Sequence, residues 1–220
     1  GQAMMFVKAL PLAVLFGLSL FVSAGRIDVP AFWLYAGLWW LNAGSTYTLA
    51  GRRHPELVTE RMRPPSDRDR ATRRIVVPLF FAHMVVAGLD VGRFGWSTVP
   101  LSLQVLGFML IAGGLWFADW TLLSNPFASS AVRIQSERDQ KVITHGPYAI
   151  VRHPMYLGVF LVATGSGCAL GSWWASLLLL PVLATFMRRT LLEDRMLHDE
   201  LPGYKEYAAR VRSRVVPGIF

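Results

Sequence analysis

From residue 154 to residue 187 the chain carries no Asp, Glu, Lys or Arg. As one helix this stretch would be about 51 Å long, against a hydrocarbon core of about 30 Å, so a single crossing of a bilayer does not accommodate it. Two short helices joined near Gly171-Ser172 do. They form a tight hairpin whose ends return to one face, with Trp173 and Trp174 at the far interface. Earlier apolar stretches at about 4–24, 30–50, 75–92 and 98–122 each approach the length that crosses as a helix. The sequence therefore predicts an all-α polytopic membrane helix bundle of about six spans, the last two being the hairpin.

The whole chain, 1–220, reads as one integral membrane domain, with four N-terminal spans over 4–122 and the polar chemistry concentrated in 123–220. A composition of 53% hydrophobic and 16% charged residues, with a mean hydropathy of +0.39, fits that class and not an ordinary soluble domain. Gly1-Gln2-Ala3 ahead of Met4 reads as an appended remnant. The first apolar run reads as a retained helix and not a cleaved leader, because a second long apolar span follows it at once.

Of the 22 Lys and Arg residues, all but Arg26 and Arg93 fall on one side if both termini are cytoplasmic, which sets the expected orientation. Eight arginines lie between 51 and 74, broken by Pro55, Pro64 and Pro65, in a segment expected to be a cytoplasmic loop with a short interfacial helix near 55–63. The net charge of +8 is spread between apolar spans, so anionic lipid headgroups, and not nucleic acid, are the expected neighbours. Compact size and arginine-rich loops point to a bacterial cytoplasmic membrane. The single cysteine, Cys168, excludes an intrachain disulfide or a cysteine metal cluster.

The densest chemistry is His145-Gly146-Pro147-Tyr148-Ala149-Ile150-Val151-Arg152-His153-Pro154-Met155-Tyr156-Leu157-Gly158, where the two prolines restrict the residues before them. Beyond the hairpin, Arg189 and Glu193 are four apart and share a helix face; the plain reading of such a pair is an exposed ion pair worth a few tenths of a kcal/mol. His153 could be an acid or base, a donor or a metal ligand. His54, His83, His145 and His198 complete no zinc spacing, so no metal is expected. His83 and Asp90 are intramembrane ionisable groups that a neighbouring helix could satisfy by hydrogen bonding, and Asp119 lies near the far end of the fourth span. There is no Gly-x-Ser-x-Gly elbow and no strand–glycine turn–helix unit for a dinucleotide. Gly165-Ser166-Gly167 reads as a close-approach surface between helices.

Across about 133–217 the chain resembles the isoprenylcysteine carboxyl methyltransferase family and, more broadly, the integral-membrane phospholipid methyltransferases. The resemblance rests on Gln140-Lys141-Val142-Ile143, Gly146-Pro147-Tyr148, Arg152-His153-Pro154-Met155-Tyr156-x-Gly158, Glu193-Asp194, Tyr204-x-x-Tyr207 and Pro217. It implies that S-adenosylmethionine is the cofactor, held in a cytoplasmic pocket formed by the 125–153 loop and the C-terminal helix. Gln140, Val142, Ile143, Tyr148, His153, Pro154, Met155, Tyr156 and Glu193 would contact it. Arg189 would face the headgroup of a lipid or prenylated methyl acceptor, and Arg189 and His153 would be the catalytic pair. The family's paired glutamates are Glu193-Asp194 here, and its Phe-Gly is the shortened Leu201-Pro202-Gly203.

A carboxylate acceptor of the isoprenylcysteine type is the leading expectation, with a phospholipid amine as the alternative. Two other readings stay open at this level: an NADPH-dependent sterol-type reductase, and a non-enzymatic lipid-binding protein that uses its arginine loop as a headgroup patch.

Overall fold

The computed structural model describes residues 2–61, 67–129 and 133–220, which form helices and connecting loops with no strand among the described residues. In chain order the helices are α1 (Gln2–Ala24), α2 (Pro30–Arg53), α3 (Pro55–Arg61), α4 (Asp67–Leu89), α5 (Leu101–Ser124), α6 (Pro154–Leu170), α7 (Trp173–Leu178), α8 (Leu180–Glu200) and α9 (Tyr204–Arg210). Arg63, Pro64 and Pro65 of the expected arginine loop lie outside the described residues. Helix α4 begins well before the apolar stretch that predicts it, at Asp67, and runs into a π-helical turn at Asp90–Phe94.

Local chemistry sets the boundaries. Pro30 and Pro154 open α2 and α6, where a missing N–H costs nothing. Helix α6 stops at Gly171, whose φ of 84° is readily adopted by glycine, and the Ser172 side chain caps α7 by accepting from Ala175 N. The chain reverses there: Gly167 abuts Ser176, and near the other end Tyr156 reaches Phe186, so α6 and the α7–α8 arm run antiparallel.

Among the described residues, three helical stretches are long and apolar enough to cross a membrane: Arg70–Phe94, Leu101–Ser124 and Trp173–Glu200, with shorter apolar stretches at Ala9–Ala24 and Pro154–Leu170. The structure thus supports fewer membrane-length apolar helices than the six spans expected. Helix α2 is absent from that set because it carries Asn42, Ser45, Thr46 and Thr48 along its second half.

Helices α5 and α6 pack most closely. A Cβ on Gly114 would sit 2.6 Å from the Gly158 carbonyl oxygen, and one on Gly107 2.6 Å from that of Gly165, so the backbones touch at two glycine pairs seven residues apart. The main core gathers Phe16, Leu20, Phe32, Tyr35, Met84, Ile111 and Leu170. Two polar groups inside the bundle bridge its helices: Ser166 Oγ lies 2.7 Å from Tyr35 Oη and 2.9 Å from His83 Nε2, and Asp90 accepts from Ser97 N at 2.9 Å and from the Ser172 hydroxyl at 2.6 Å. His83 and Asp90 therefore act as ties between helices. Outward-facing Leu18, Trp33, Leu34, Leu101, Met109 and Trp116 leave broad apolar surface exposed, as lipid-facing helices do.

Candidate active site at the polar end of the hairpin

The polar end of the hairpin is organised by Asp194, which is 3% exposed. Its Oδ1 accepts from Arg152 Nε at 2.9 Å, His153 Nε2 at 3.0 Å and the Tyr204 hydroxyl at 2.9 Å; its Oδ2 accepts from Arg152 Nη2 and Arg214 Nε, both at 2.9 Å. A carboxylate can only accept, so His153 presents its Nε2–H on this side. Arg152 also donates Nη1 to the carbonyls of Val211 and Arg212, while the amides of Arg152 and His153 donate to the Ser213 and Arg214 carbonyls. The tail after α9 is thereby laid against the turn before α6.

One turn earlier on α8, the Tyr156 hydroxyl donates to Glu193 Oε2 and accepts from Arg189 Nε at 2.9 Å. Arg189 and Glu193 thus act together through Tyr156, reaching across from α8 to α6. Adjacent in sequence, Glu193 and Asp194 point about 100° apart around the helix, so one carboxylate serves this chain and the other the buried hub.

The loop leading into α6 is cross-tied as well. Gln140 Oε1 accepts from Gln135 N at 2.7 Å, Asn125 Nδ2 donates to Tyr148 Oη at 2.7 Å, and the Tyr207 hydroxyl donates to the Tyr148 carbonyl at 2.7 Å. Arg133 binds the buried Glu60 of α3 at 2.7 Å, holding the loop to the N-terminal half. Burial pushes the phenols of Tyr148, Tyr204 and Tyr207 far above the usual tyrosine range; Asp194 adds to this at Tyr204, and the neighbouring Tyr148 adds to it at Tyr207. All three remain protonated donors at neutral pH.

Between these elements lies a pocket of about 100 Å³. Gln140, Val142, Ile143, Tyr148, His153, Pro154, Met155, Tyr156 and Glu193 all line it. Arg189 stands at its edge through Tyr156. Asn125, Arg152, Tyr204 and Tyr207 line it too and were not picked out as site residues from the sequence. A second, apolar cavity of about 520 Å³ opens among α1, α2, α3, α4, α5, α6 and α8, and Met155 lines both spaces. Among the described residues no group of three or more His, Cys, Asp or Glu side chains is arranged to hold a metal ion.

The profile of the phospholipid methyltransferase family matches residues 103–201, which include α5, the loop, the hairpin and the Glu193-Asp194 pair. Over that region the chain is similar to the phospholipid methyltransferase family. Relatives of known description extend the match. A protein-S-isoprenylcysteine O-methyltransferase of Schizosaccharomyces pombe is 30% identical over 51% of this chain and 48% of its own length. A probable protein-S-isoprenylcysteine O-methyltransferase of Oryza sativa subsp. indica is 32% identical over 37% of this chain and 44% of its own. The cobalt-zinc-cadmium resistance protein CzcN of Cupriavidus metallidurans is 29% identical over 62% of this chain and 61% of its own. The chain thus spans between about 44% and 61% of the length of these three relatives. The Asp194 hub, the Tyr156 relay and the pocket all involve residues of the methyltransferase-family region.

Proposed function

We propose that this chain is an S-adenosylmethionine-dependent methyltransferase that methylates the headgroup of a lipid or prenylated acceptor where the membrane meets the cytosol. One observation carries the reading: a polar pocket and a large apolar cavity share Met155, so the polar site and the apolar space border the same side chain.

The pocket's chemistry fits the cofactor. Glu193 presents a carboxylate suited to an amino group or ribose hydroxyls, Tyr148 and Tyr156 present aromatic faces suited to a sulfonium, and Val142, Ile143 and Leu197 form an apolar wall for a base. When bound, S-adenosylmethionine supplies an activated methyl group. The protein's own part is alignment and exclusion of water. Arg189, held on Tyr156, would orient an anionic headgroup at the junction.

Two acceptor chemistries use the same geometry. A carboxylate of the isoprenylcysteine type, favoured by the names of the yeast and rice relatives, is ionised at neutral pH and needs no base. A phospholipid amine, favoured by the family description, must lose a proton, and His153 Nδ1 would take it while Asp194 holds Nε2. The proposed topology is six crossings with both termini and the pocket in the cytoplasm of a bacterial cell, supported by the uneven distribution of Lys and Arg.

The test is transfer of a radiolabelled methyl group from S-adenosylmethionine to prenylcysteine or phospholipid in reconstituted membranes. Label in the organic phase, abolished by Arg189→Ala, is expected, and its release by mild alkali identifies an ester. Folded protein that labels neither acceptor would overturn the proposal.

A further inference from the structure

The apolar cavity contains one acidic side chain that the proposed transfer does not use. Asp119 of α5 lines it, half-buried, with both known partners on α2: Asn42 Nδ2 donates to Oδ2 at 2.9 Å and the Thr46 hydroxyl donates to Oδ1 at 2.5 Å. Both partners are neutral, and among the described residues no cation pairs with Asp119. Arg61 lines the same cavity, but its Nη1 is directed to the Ala128 carbonyl at 3.0 Å.

The depth of Asp119 is set by its neighbour. Ala118 packs on α6 at Gly158, where an added Cβ would lie 3.2 Å from Ala118 Cβ, and Gly158 is about one turn past Met155. The carboxylate therefore stands along the cavity wall about one turn from the place where cavity and pocket adjoin. Each of its oxygens retains acceptor capacity beyond the single donor it already has. A plain hydrocarbon chain lying past it would strip water from a carboxylate and return nothing, which is costly at membrane depth.

We propose that the amphiphile filling this cavity carries a hydrogen-bond donor, an amine or a hydroxyl, at the level of Asp119, and that Asp119 selects acceptors by that group. The inference rests on the lipid-acceptor reading above but concerns recognition alone. Its test therefore uses neither cofactor nor methyl transfer, so that it can fail while the methyltransferase reading stands.

The experiment is native mass spectrometry of the protein released from nonionic detergent with hexadecylamine, hexadecanol or hexadecyl methyl ether. The three probes share a chain and differ in their donor. The wild type is expected to bind the amine or the alcohol about tenfold more tightly than the ether, with the order of amine and alcohol showing whether the donor is cationic. Asp119→Asn is expected to lose that preference and keep ether binding. A wild type with no preference, an Asp119→Asn protein that retains it, or loss of all three ligands together would each overturn the proposal, the last by making Asp119 a scaffold residue.

Discussion

Arg152 and Asp194 meet through two parallel hydrogen bonds of 2.9 Å, joining the turn ahead of α6 to the charged end of α8. The pair is buried, with side chains 6% and 4% exposed, and it also anchors His153, Tyr204 and Arg214. Removing one member of such a pair leaves an uncompensated buried charge. Asp194→Asn should lower stability by about 3–5 kcal/mol, measured by denaturant unfolding in mixed micelles. The Arg152→Met, Asp194→Leu double variant should cost less than the sum of its single changes, because Arg152 is no longer left as a buried unpaired charge. Additive costs would contradict the hub.

The Tyr156 hydroxyl links Arg189 to Glu193. Tyr156→Phe keeps the ring and removes both bonds, so it should weaken S-adenosylhomocysteine binding by about tenfold or more, as loss of a hydrogen bond to a charged group does. Unchanged affinity would show that Glu193 is held by other contacts.

Helices α5 and α6 touch backbone to backbone at Gly114 and Gly158, where a Cβ on Gly158 would sit 2.7 Å from the Gly114 carbonyl oxygen. Gly158→Ala must push the helices apart and should cost about 1–3 kcal/mol, as overpacking does. Gly113→Ala, one residue away on α5 and facing open space, serves as the control. Thermal melting of both variants in detergent checks this, and equal melting points would contradict the packing.

The phenols of Tyr148, Tyr204 and Tyr207 are raised in the fold, chiefly by burial. An unfolded tyrosine ionises near pH 10, so the folded state holds these protons longer. The stability they contribute is fully present below about pH 10 and is lost as pH rises from there towards the folded pKa values. Melting points should be level from pH 8 to about 9.5 and fall beyond about 10, less steeply in Tyr204→Phe. A flat profile to about pH 11.5 would rule out buried phenols.

Much of this arrangement was legible in the sequence because it depends on local or short-range signals. The lack of charge from 154 to 187 and the Gly171-Ser172 turn announce the hairpin, and Pro154 marks the start of its first arm. The nine pocket residues named from motifs line one space because the loop and α8 are both tied to the same end of that hairpin. Asp194 was visible only as the second member of an acidic pair. Nothing in the sequence says which of two adjacent carboxylates faces five donors, since those donors come from the turn before α6, from α9 and from the tail. The apolar cavity was illegible for the same reason: its wall is assembled from seven helices spread along the chain. Asn42 and Thr46 of α2 face Asp119 of α5, a pairing across the bundle that hydropathy does not announce.

The central claim is that the pocket beside Met155 holds an adenosine-sulfonium cofactor through Glu193. Calorimetric titration of the detergent-purified protein with S-adenosylhomocysteine, beside Glu193→Ala and an NADPH control, tests it most directly. Saturable binding to the wild type, its loss in Glu193→Ala and silence with NADPH are the predicted results. Folded protein that ignores S-adenosylhomocysteine, or that takes up NADPH instead, would contradict the account.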